Sequence, residues 1–196
     1  MFLLFLSVCQ EASADVVFVL DASGSVHLEN FEKMKNFTKN LLSGAANIDG
    51  GKVRVGMNVY STDSIVEFHL KDYKNKNDIF DAIDALHYQA GGTYTGVALK
   101  RVSSEMFTVA NGDRPDVNNI AFVVTDGQST DDPIPVADAL RDHIKIYAVG
   151  IGLDDTTELE GIAHKPAKDN VFTIDDFDKL EGLEKQVFAA ICGKAL

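Results

Sequence analysis

Apolar runs alternate along the chain with segments in which apolar residues recur every three or four positions. The run 15–20 is almost continuously apolar, which is typical of a strand covered on both faces. The next segment has helical spacing instead. Its apolar positions are Leu28, Phe31, Met34, Phe37 and Leu41. A strand followed by a helix in this order predicts a right-handed crossover within a parallel sheet.

The rest of the chain continues this alternation. Further strands are predicted over 52–60, 65–70, 120–125, 144–150 and 171–174, and further helices over 79–86, 99–106, 136–140 and 177–191. Only four residues, STDS, separate the second strand from the third. Four residues can form a hairpin but not a crossover, so the third strand should be antiparallel. The pattern predicts one α/β domain with a mostly parallel sheet, helices on both faces and an antiparallel edge strand.

Composition and charge restrict the kinds of binding partner that are expected for this domain. The 196 residues are 45% hydrophobic, which is enough for one sizeable core. The formal charge is −12, from 18 basic and 30 acidic residues, and it argues against nucleic acid or an anionic membrane as the main partner. It is compatible with metal cations, with basic protein surfaces or with solubility alone. No apolar run approaches the roughly 20 residues of a membrane span.

The N-terminal segment leaves two alternatives open. Residues 2–8 are apolar and 12–14 are small, as in a cleavable signal peptide, but no positive charge precedes the run. Cys9 and Cys192, near the two ends, would connect the termini if both remain in an oxidising compartment. Cleavage after Ala14 would instead remove Cys9. We therefore divide the chain into a signal peptide or flank (1–14), a domain (15–192) and a tail (193–196).

Oxygen-bearing side chains follow two of the predicted parallel strands. Asp21 ends the first strand in VLDASGS, and Asp126 ends the fourth in VVTDGQS. Ligands of open α/β sheets bind outside the carboxyl ends of the strands, so neighbouring strands would bring both aspartates to one crevice. Ser23 and Ser25 follow Asp21 at alternate positions, and the loop GGTYTG supplies the hydroxyl of Thr93.

This set of five residues predicts a site for a hard divalent cation. It contains only oxygen ligands, and no histidine or cysteine is spaced for zinc or copper. A low carboxylate count with small neutral ligands favours Mg²⁺ or Mn²⁺, whereas Ca²⁺ usually recruits more carboxylates and carbonyls. The alternative for Asp21, Ser23 and Ser25 is a helix cap with a turn. Thr95 is an alternative hydroxyl ligand, although capping or packing of the following helix suits it better.

The motifs DASGS, GGTYTG and TDGQS resemble the metal-ion-dependent adhesion site of the von Willebrand factor A domain family. The resemblance implies strand order 3-2-1-4-5-6. It also implies that Ser23, Ser25 and Thr93 coordinate the cation, while Asp21 and Asp126 act largely through water or switch in with ligand. An acidic side chain from a partner would complete the coordination.

Two other stretches, YAVGIG and VFTIDDFDKL, resemble the extracellular-matrix members of this family, of the matrilin and collagen VI type. The flanking cysteines resemble the end-to-end disulfide of those members, which favours a Cys9–Cys192 pair. The resemblance implies a secreted, matrix-located module that binds an extracellular protein through the cation. In a secreted chain, Asn36 in the sequon NFT is a glycosylation candidate, predicted to lie off the apolar stripe.

Three other functions compete with this one. The domain could be a structural matrix module whose interactions need no metal, or an intracellular member of a larger complex. A metal-dependent hydrolase or phosphotransferase is disfavoured, because no nucleophile, general base or phosphate-binding lysine accompanies the cluster. We therefore expect a binding module rather than an enzyme.

Overall fold

A single mixed sheet of six strands organises the chain. The computed structural model describes residues 13–44, 48–180, 182, 183 and 187. The strands are β1 (Ala14–Asp21), β2 (Val53–Tyr60), β3 (Ser64–Phe68), β4 (Asn118–Thr125), β5 (Ile144–Ile151) and β6 (Val171–Ile174). Their order is β3-β2-β1-β4-β5-β6. β1 pairs in parallel with β2 and β4, and β3 alone pairs antiparallel, so the predicted topology is confirmed.

Helices cover both faces of the sheet. They are α1 (His27–Gly44), α2 (Lys76–Asp84), α3 (Thr95–Arg101), α4 (Ile134–Leu140) and α5 (Thr157–Ile162). α3 continues through a π-helical turn, Val102–Met106. Short 3₁₀ turns occupy Val109–Asn111, Ala167–Asp169 and Phe177–Lys179.

The strand sequence explains this double cover. Seven of the eight β1 residues are buried, and alternate residues enter two separate apolar clusters. Phe18 lies in the cluster with the apolar faces of α1 and α2, where its ring stacks on Phe122 at 5.3 Å. Val17 and Val19 enter the other cluster, with side chains from α3, α4 and α5. A strand with both faces buried needs apolar residues at consecutive positions, as 16–20 provide.

Two local features of the structure differ from what the sequence pattern suggests. Leu28 shares the helical spacing of Phe31 and Met34, but it lies in the first turn of α1 and is 58% exposed, whereas those two residues are buried. The sequence reading missed α5, because only Leu159 and Ile162 are buried in its six residues, too few to show a period. The last predicted helix is described only in part: a 3₁₀ turn occupies Phe177–Lys179, the described residues 180, 182, 183 and 187 are helical as predicted, and Leu183 and Val187 are buried.

The remaining predictions about the ends of the chain lie largely outside the described residues. This holds for Cys9, Cys192 and almost all of the 1–14 segment. Asn36 is exposed on α1, as expected, while the sequon residue Thr38 is buried and donates to the Met34 carbonyl at 2.9 Å. Glycosylation of Asn36 stays a prediction.

Within the described part of the chain, none of the helices has the length and apolar character needed to cross a membrane.

Candidate metal centre

The central strands β1 and β4 bring Asp21 and Asp126 to the same edge of the sheet. The two strands are parallel, and Leu20 lies opposite Val124 in their register. Asp21 is the last residue of β1, and Asp126 is the first residue after the end of β4. Because the carboxyl ends of parallel strands meet at one edge, both side chains enter the same crevice, as the sequence predicted.

Asp21 is fully buried, and the hydrogen bonds that it receives from the described residues come from neutral groups. The Ser23 backbone N–H donates to Oδ1 at 2.8 Å, and the Thr125 hydroxyl donates to Oδ2 at 2.6 Å. Burial raises the pKa of Asp21, and the nearby charge of Asp126 raises it further, against the lowering effect of these hydrogen bonds. A carboxylate without a basic partner in such a place is costly to ionise.

Two serine hydroxyls connect this carboxylate with the second one. Ser23 Oγ lies 3.0 Å from Ser25 Oγ, and Ser25 Oγ donates to Asp126 Oδ1 at 2.8 Å. Burial also raises the pKa of Asp126, while the Ser25 hydrogen bond and the charge of His27 oppose that shift. Four of the five predicted residues therefore form one hydrogen-bonded chain.

Thr93 is positioned beside this chain through the backbone of its loop. Gly24 donates its N–H to the Gly91 carbonyl at 2.9 Å, and the Thr93 carbonyl accepts from the Thr130 N–H at 2.6 Å. The loop is thus fastened to both aspartate-bearing segments. Gly91 has a φ of 114°, and a Cβ there would lie 2.7 Å from Thr62 Oγ1, so only glycine fits. Within the described residues, the Thr93 hydroxyl makes no direct hydrogen bond to the other four predicted ligands.

Thr95 has a different environment. It is buried, and its hydroxyl lies 3.1 Å from the Tyr60 hydroxyl beneath the start of α3. This position agrees with the interpretation that Thr95 packs the helix rather than serving as a ligand.

Sequence reasoning missed the residues that support the loops. Thr125 binds Asp21, and the Tyr88 hydroxyl donates to the Ser23 carbonyl at 2.9 Å. Asp131 accepts from the Gly96 and Val97 N–H groups at 3.0 and 2.9 Å, so a carboxylate from the β4–α4 loop caps α3. Of these, only Thr125 had a sequence signal, since it stands next to Asp126 in TDGQS.

Replacing Asp131 with alanine is expected to lower the free energy of unfolding by about 2 kcal/mol, because two helix-terminal N–H groups lose their acceptor. Urea denaturation would measure the loss. Asp142 is exposed in the turn before β5 and serves as the matched control, with an expected change within about 0.5 kcal/mol for Asp142→Ala. Equal losses in the two variants would show that the cap contributes nothing.

The donor set fits a hard cation better than a soft one. Its polar atoms are carboxylate and hydroxyl oxygens. The Ser25 proton is directed to Asp126 and Ser25 Oγ accepts from the Ser23 hydroxyl, which leaves one lone pair of Ser25 Oγ for another partner. Within the described part of the chain, no three histidine, cysteine, aspartate or glutamate side chains are grouped to hold a metal ion. The cluster has only two side chains of these types, Asp21 and Asp126, so a cation there would also need the hydroxyl oxygens of Ser23, Ser25 and Thr93 as ligands.

Comparison with known proteins places this geometry in a family. The model of the von Willebrand factor type A domain matches residues 15–186. The collagen alpha-4(VI) chain of Mus musculus is 38% identical over 188 residues, which cover 94% of this chain and 8% of the collagen. Matrilin-1 of Gallus gallus is 35% identical over 182 residues, which cover 92% of this chain and 37% of the matrilin.

Solved structures agree with these relatives. Proximal thread matrix protein 1 from the mussel byssus superposes with a TM-score of 0.87 at 32% identity, over 92% of this chain and 48% of that one. Another structure of the same mussel protein has a zinc-occupied MIDAS motif. The chain therefore spans less than half the length of each of these relatives. It belongs to the von Willebrand factor type A domain family, and within that family it is of the matrilin and collagen VI type.

Proposed function

We propose that this domain is an extracellular matrix-interaction module that binds a protein partner through a divalent cation. The relatives that support a matrix role are a collagen VI chain, a matrilin and a thread matrix protein. The observation that carries the proposal is the pair of carboxylates at one sheet edge, the buried Asp21 and the half-buried Asp126, both of which accept hydrogen bonds from neutral donors. Two partly desolvated carboxylates close together favour binding of a cation.

The five residues would divide the work of holding this cation. Ser23, Ser25 and Thr93 would supply neutral oxygen ligands, and Asp21 and Asp126 would supply the balancing charge. Mg²⁺ or Mn²⁺ suits such a set better than Ca²⁺. The zinc in the mussel relative supports a divalent site of this type.

With neutral ligands in direct contact, the cation would keep its electrophilic character and accept an acidic side chain from the partner. In the described structure no histidine or lysine is hydrogen-bonded to the serine hydroxyls of the cluster to activate them, so this chemistry supports recognition rather than catalysis.

The test is whether partner binding depends on the cation. We expect the affinity for a panel of purified matrix proteins in Mg²⁺ to fall at least about tenfold when EDTA is added, because the cation that connects the two proteins is removed. The affinity of the Ser25→Ala variant in Mg²⁺ should fall similarly, because the cation loses one of its ligands. Surface plasmon resonance would measure both effects. Ser43→Ala, which removes an exposed hydroxyl on α1, should bind like the wild type.

Binding that is unchanged by EDTA and by Ser25→Ala would contradict the cation-bridged mechanism. It would favour the alternative of a structural matrix module whose interactions need no metal.

A further inference from the structure

A groove of about 490 Å³ lies at the end of the sheet opposite the candidate metal centre. Val53 and Arg54, the first residues of β2, line it together with Leu70, Lys71, Tyr73 and Lys74, which follow β3. β2 runs parallel to β1, and Val53 lies opposite Ala14 whereas Tyr60 lies opposite Asp21. At about 3.3 Å per residue, the groove and the metal centre are roughly 20–25 Å apart.

Three cations line this basic groove: Arg54, Lys71 and Lys74. The Arg54 guanidinium donates to the Gly112 carbonyl at 2.6 Å. The Lys71 ammonium donates to the Ala110 carbonyl at 2.8 Å and to the Asn111 side-chain oxygen at 3.0 Å. These acceptors are neutral, so they fix the positions of the two side chains without cancelling their charge.

Many, though not all, basic side chains elsewhere in the described structure are paired with carboxylates. This applies to Lys33, Lys35, Lys39, Arg101, Arg114, Arg141 and Lys179. In the groove, Asp49 is the one carboxylate among the described lining residues, and it accepts from the Lys76 backbone N–H at 2.8 Å. The groove is therefore a positive region on a chain whose formal charge is −12.

Apolar side chains form the rest of the wall. Ile48 and Leu70 are almost fully buried and line the floor with Val53. The Tyr73 ring lies edge-on to Phe68, with centroids 5.1 Å apart, and it is held in place at the rim. The lining therefore offers positive charge and apolar surface side by side.

We infer that the basic groove is a second binding site, which takes an acidic peptide segment bearing apolar side chains from a protein partner. A sulfated polysaccharide would match the charge but would offer no apolar side chain to cover the exposed parts of Tyr73 and Val53. The acidic remainder of the molecule repels such a peptide, so electrostatics direct it to this groove. With one site at each end of the sheet, a single domain could connect two proteins.

Fluorescence anisotropy with a short labelled peptide, Glu-Leu-Asp-Tyr-Glu-Gly-Asp-Leu, tests this inference in EDTA at low ionic strength. We expect binding that weakens as salt rises, because the interaction is screened. The double variant Lys71→Glu/Lys74→Glu should bind at least about tenfold more weakly. Lys100→Glu/Lys168→Glu makes the same change of charge at exposed lysines elsewhere and should stay within about twofold of the wild type.

Several outcomes would overturn the inference. One is equal binding by the two double variants at matched thermal stability, and another is equal binding of a peptide whose carboxylates are replaced by amides. Binding of a heparin oligosaccharide but not of the peptide, at up to about 1 mM, would assign the groove to polysaccharides instead. Because EDTA is present throughout, none of these results depends on the cation proposed for the opposite end.

Discussion

Replacing Arg114 with methionine is expected to lower the free energy of unfolding by about 3–5 kcal/mol, because the change leaves a buried carboxylate without its counter-charge. Asp15 is the second residue of β1 and is fully buried. The Arg114 Nε and Nη2 atoms donate to its Oδ1 at 3.0 and 2.6 Å. The Arg114 backbone N–H donates to Oδ2 at 2.8 Å. Methionine keeps the length of the aliphatic stem, so the loss reports on charge and hydrogen bonds.

The same guanidinium also holds three backbone carbonyls. Nη2 donates to Ala14 and Lys52 at 3.0 and 2.8 Å, and Nη1 donates to Gly51 at 3.0 Å. Arg114 therefore fastens the start of β1 to the segment before β2. Lysine cannot reproduce this fork of donors, so Arg114→Lys should lose an intermediate amount of stability.

Thermal and urea denaturation would measure these losses, with about 2–4 °C of melting temperature for each kcal/mol in a domain of this size. The matched control is Arg101→Met, which breaks an exposed pair with Glu105 on the π-helical turn and should cost less than about 1 kcal/mol. In the double variant Asp15→Asn/Arg114→Met the orphaned charge is gone, so it should be more stable than Arg114→Met alone. A double variant that is less stable than Arg114→Met would contradict this account.

The sequence predicted the sheet well, because its strands have strong and distinct signals. Residues 16–20 and 120–124 are apolar at consecutive positions, as central parallel strands require, and the four-residue STDS link restricts β3 to an antiparallel position. The helix α5 had no comparable signal, since six residues give too few turns to show a period. Leu28 fitted the helical period, but in the first turn of α1 it is exposed, while Phe31 and Met34 in the next turn are buried.

The candidate metal centre also has features that the sequence predicted and features that it did not. Asp21 and Asp126 could be placed together because strand order alone brings the ends of β1 and β4 to one edge. The contacts of Asp131 with α3 could not be predicted, because they join residues 35 positions apart through loops that have no periodicity. The groove lined by Arg54 and Lys71 was also missed, since its residues come from segments that only the tertiary fold brings together.

Replacing Asp21 with asparagine is expected to have opposite effects with and without a divalent cation. Without the cation, the variant should be at least as stable as the wild type, because it removes a buried negative charge. Asparagine can still accept from the Ser23 N–H, and its amide can donate to Thr125 Oγ1, whose own proton can turn to the Gly127 carbonyl 3.1 Å away. The exchange therefore keeps the hydrogen bonds of the loop.

Without the cation, the difference in stability between Asp21→Asn and the wild type should depend on pH. The pKa of Asp21 is raised in the folded state, so the protein binds a proton there more tightly than the unfolded chain does. That stabilisation is fully present below the ordinary pKa of 3.8 and is lost as the pH rises through the raised value. In EDTA, the stability advantage of Asp21→Asn should therefore be largest near neutral pH and shrink as the pH falls.

With the cation, the order should reverse. A ligand at about 100 times its dissociation constant stabilises the native state by about 2.7 kcal/mol, which is roughly 5–11 °C of melting temperature for the wild type. Asp21→Asn should lose this shift, because one of the two charges that balance the cation is gone, whereas Asp142→Asn should retain it. Thermal denaturation in EDTA, Mg²⁺ and Mn²⁺ would measure all three proteins. A full shift in Asp21→Asn would place the cation elsewhere, and no shift in the wild type would mean that the cluster binds no cation unless a partner supplies the last ligand.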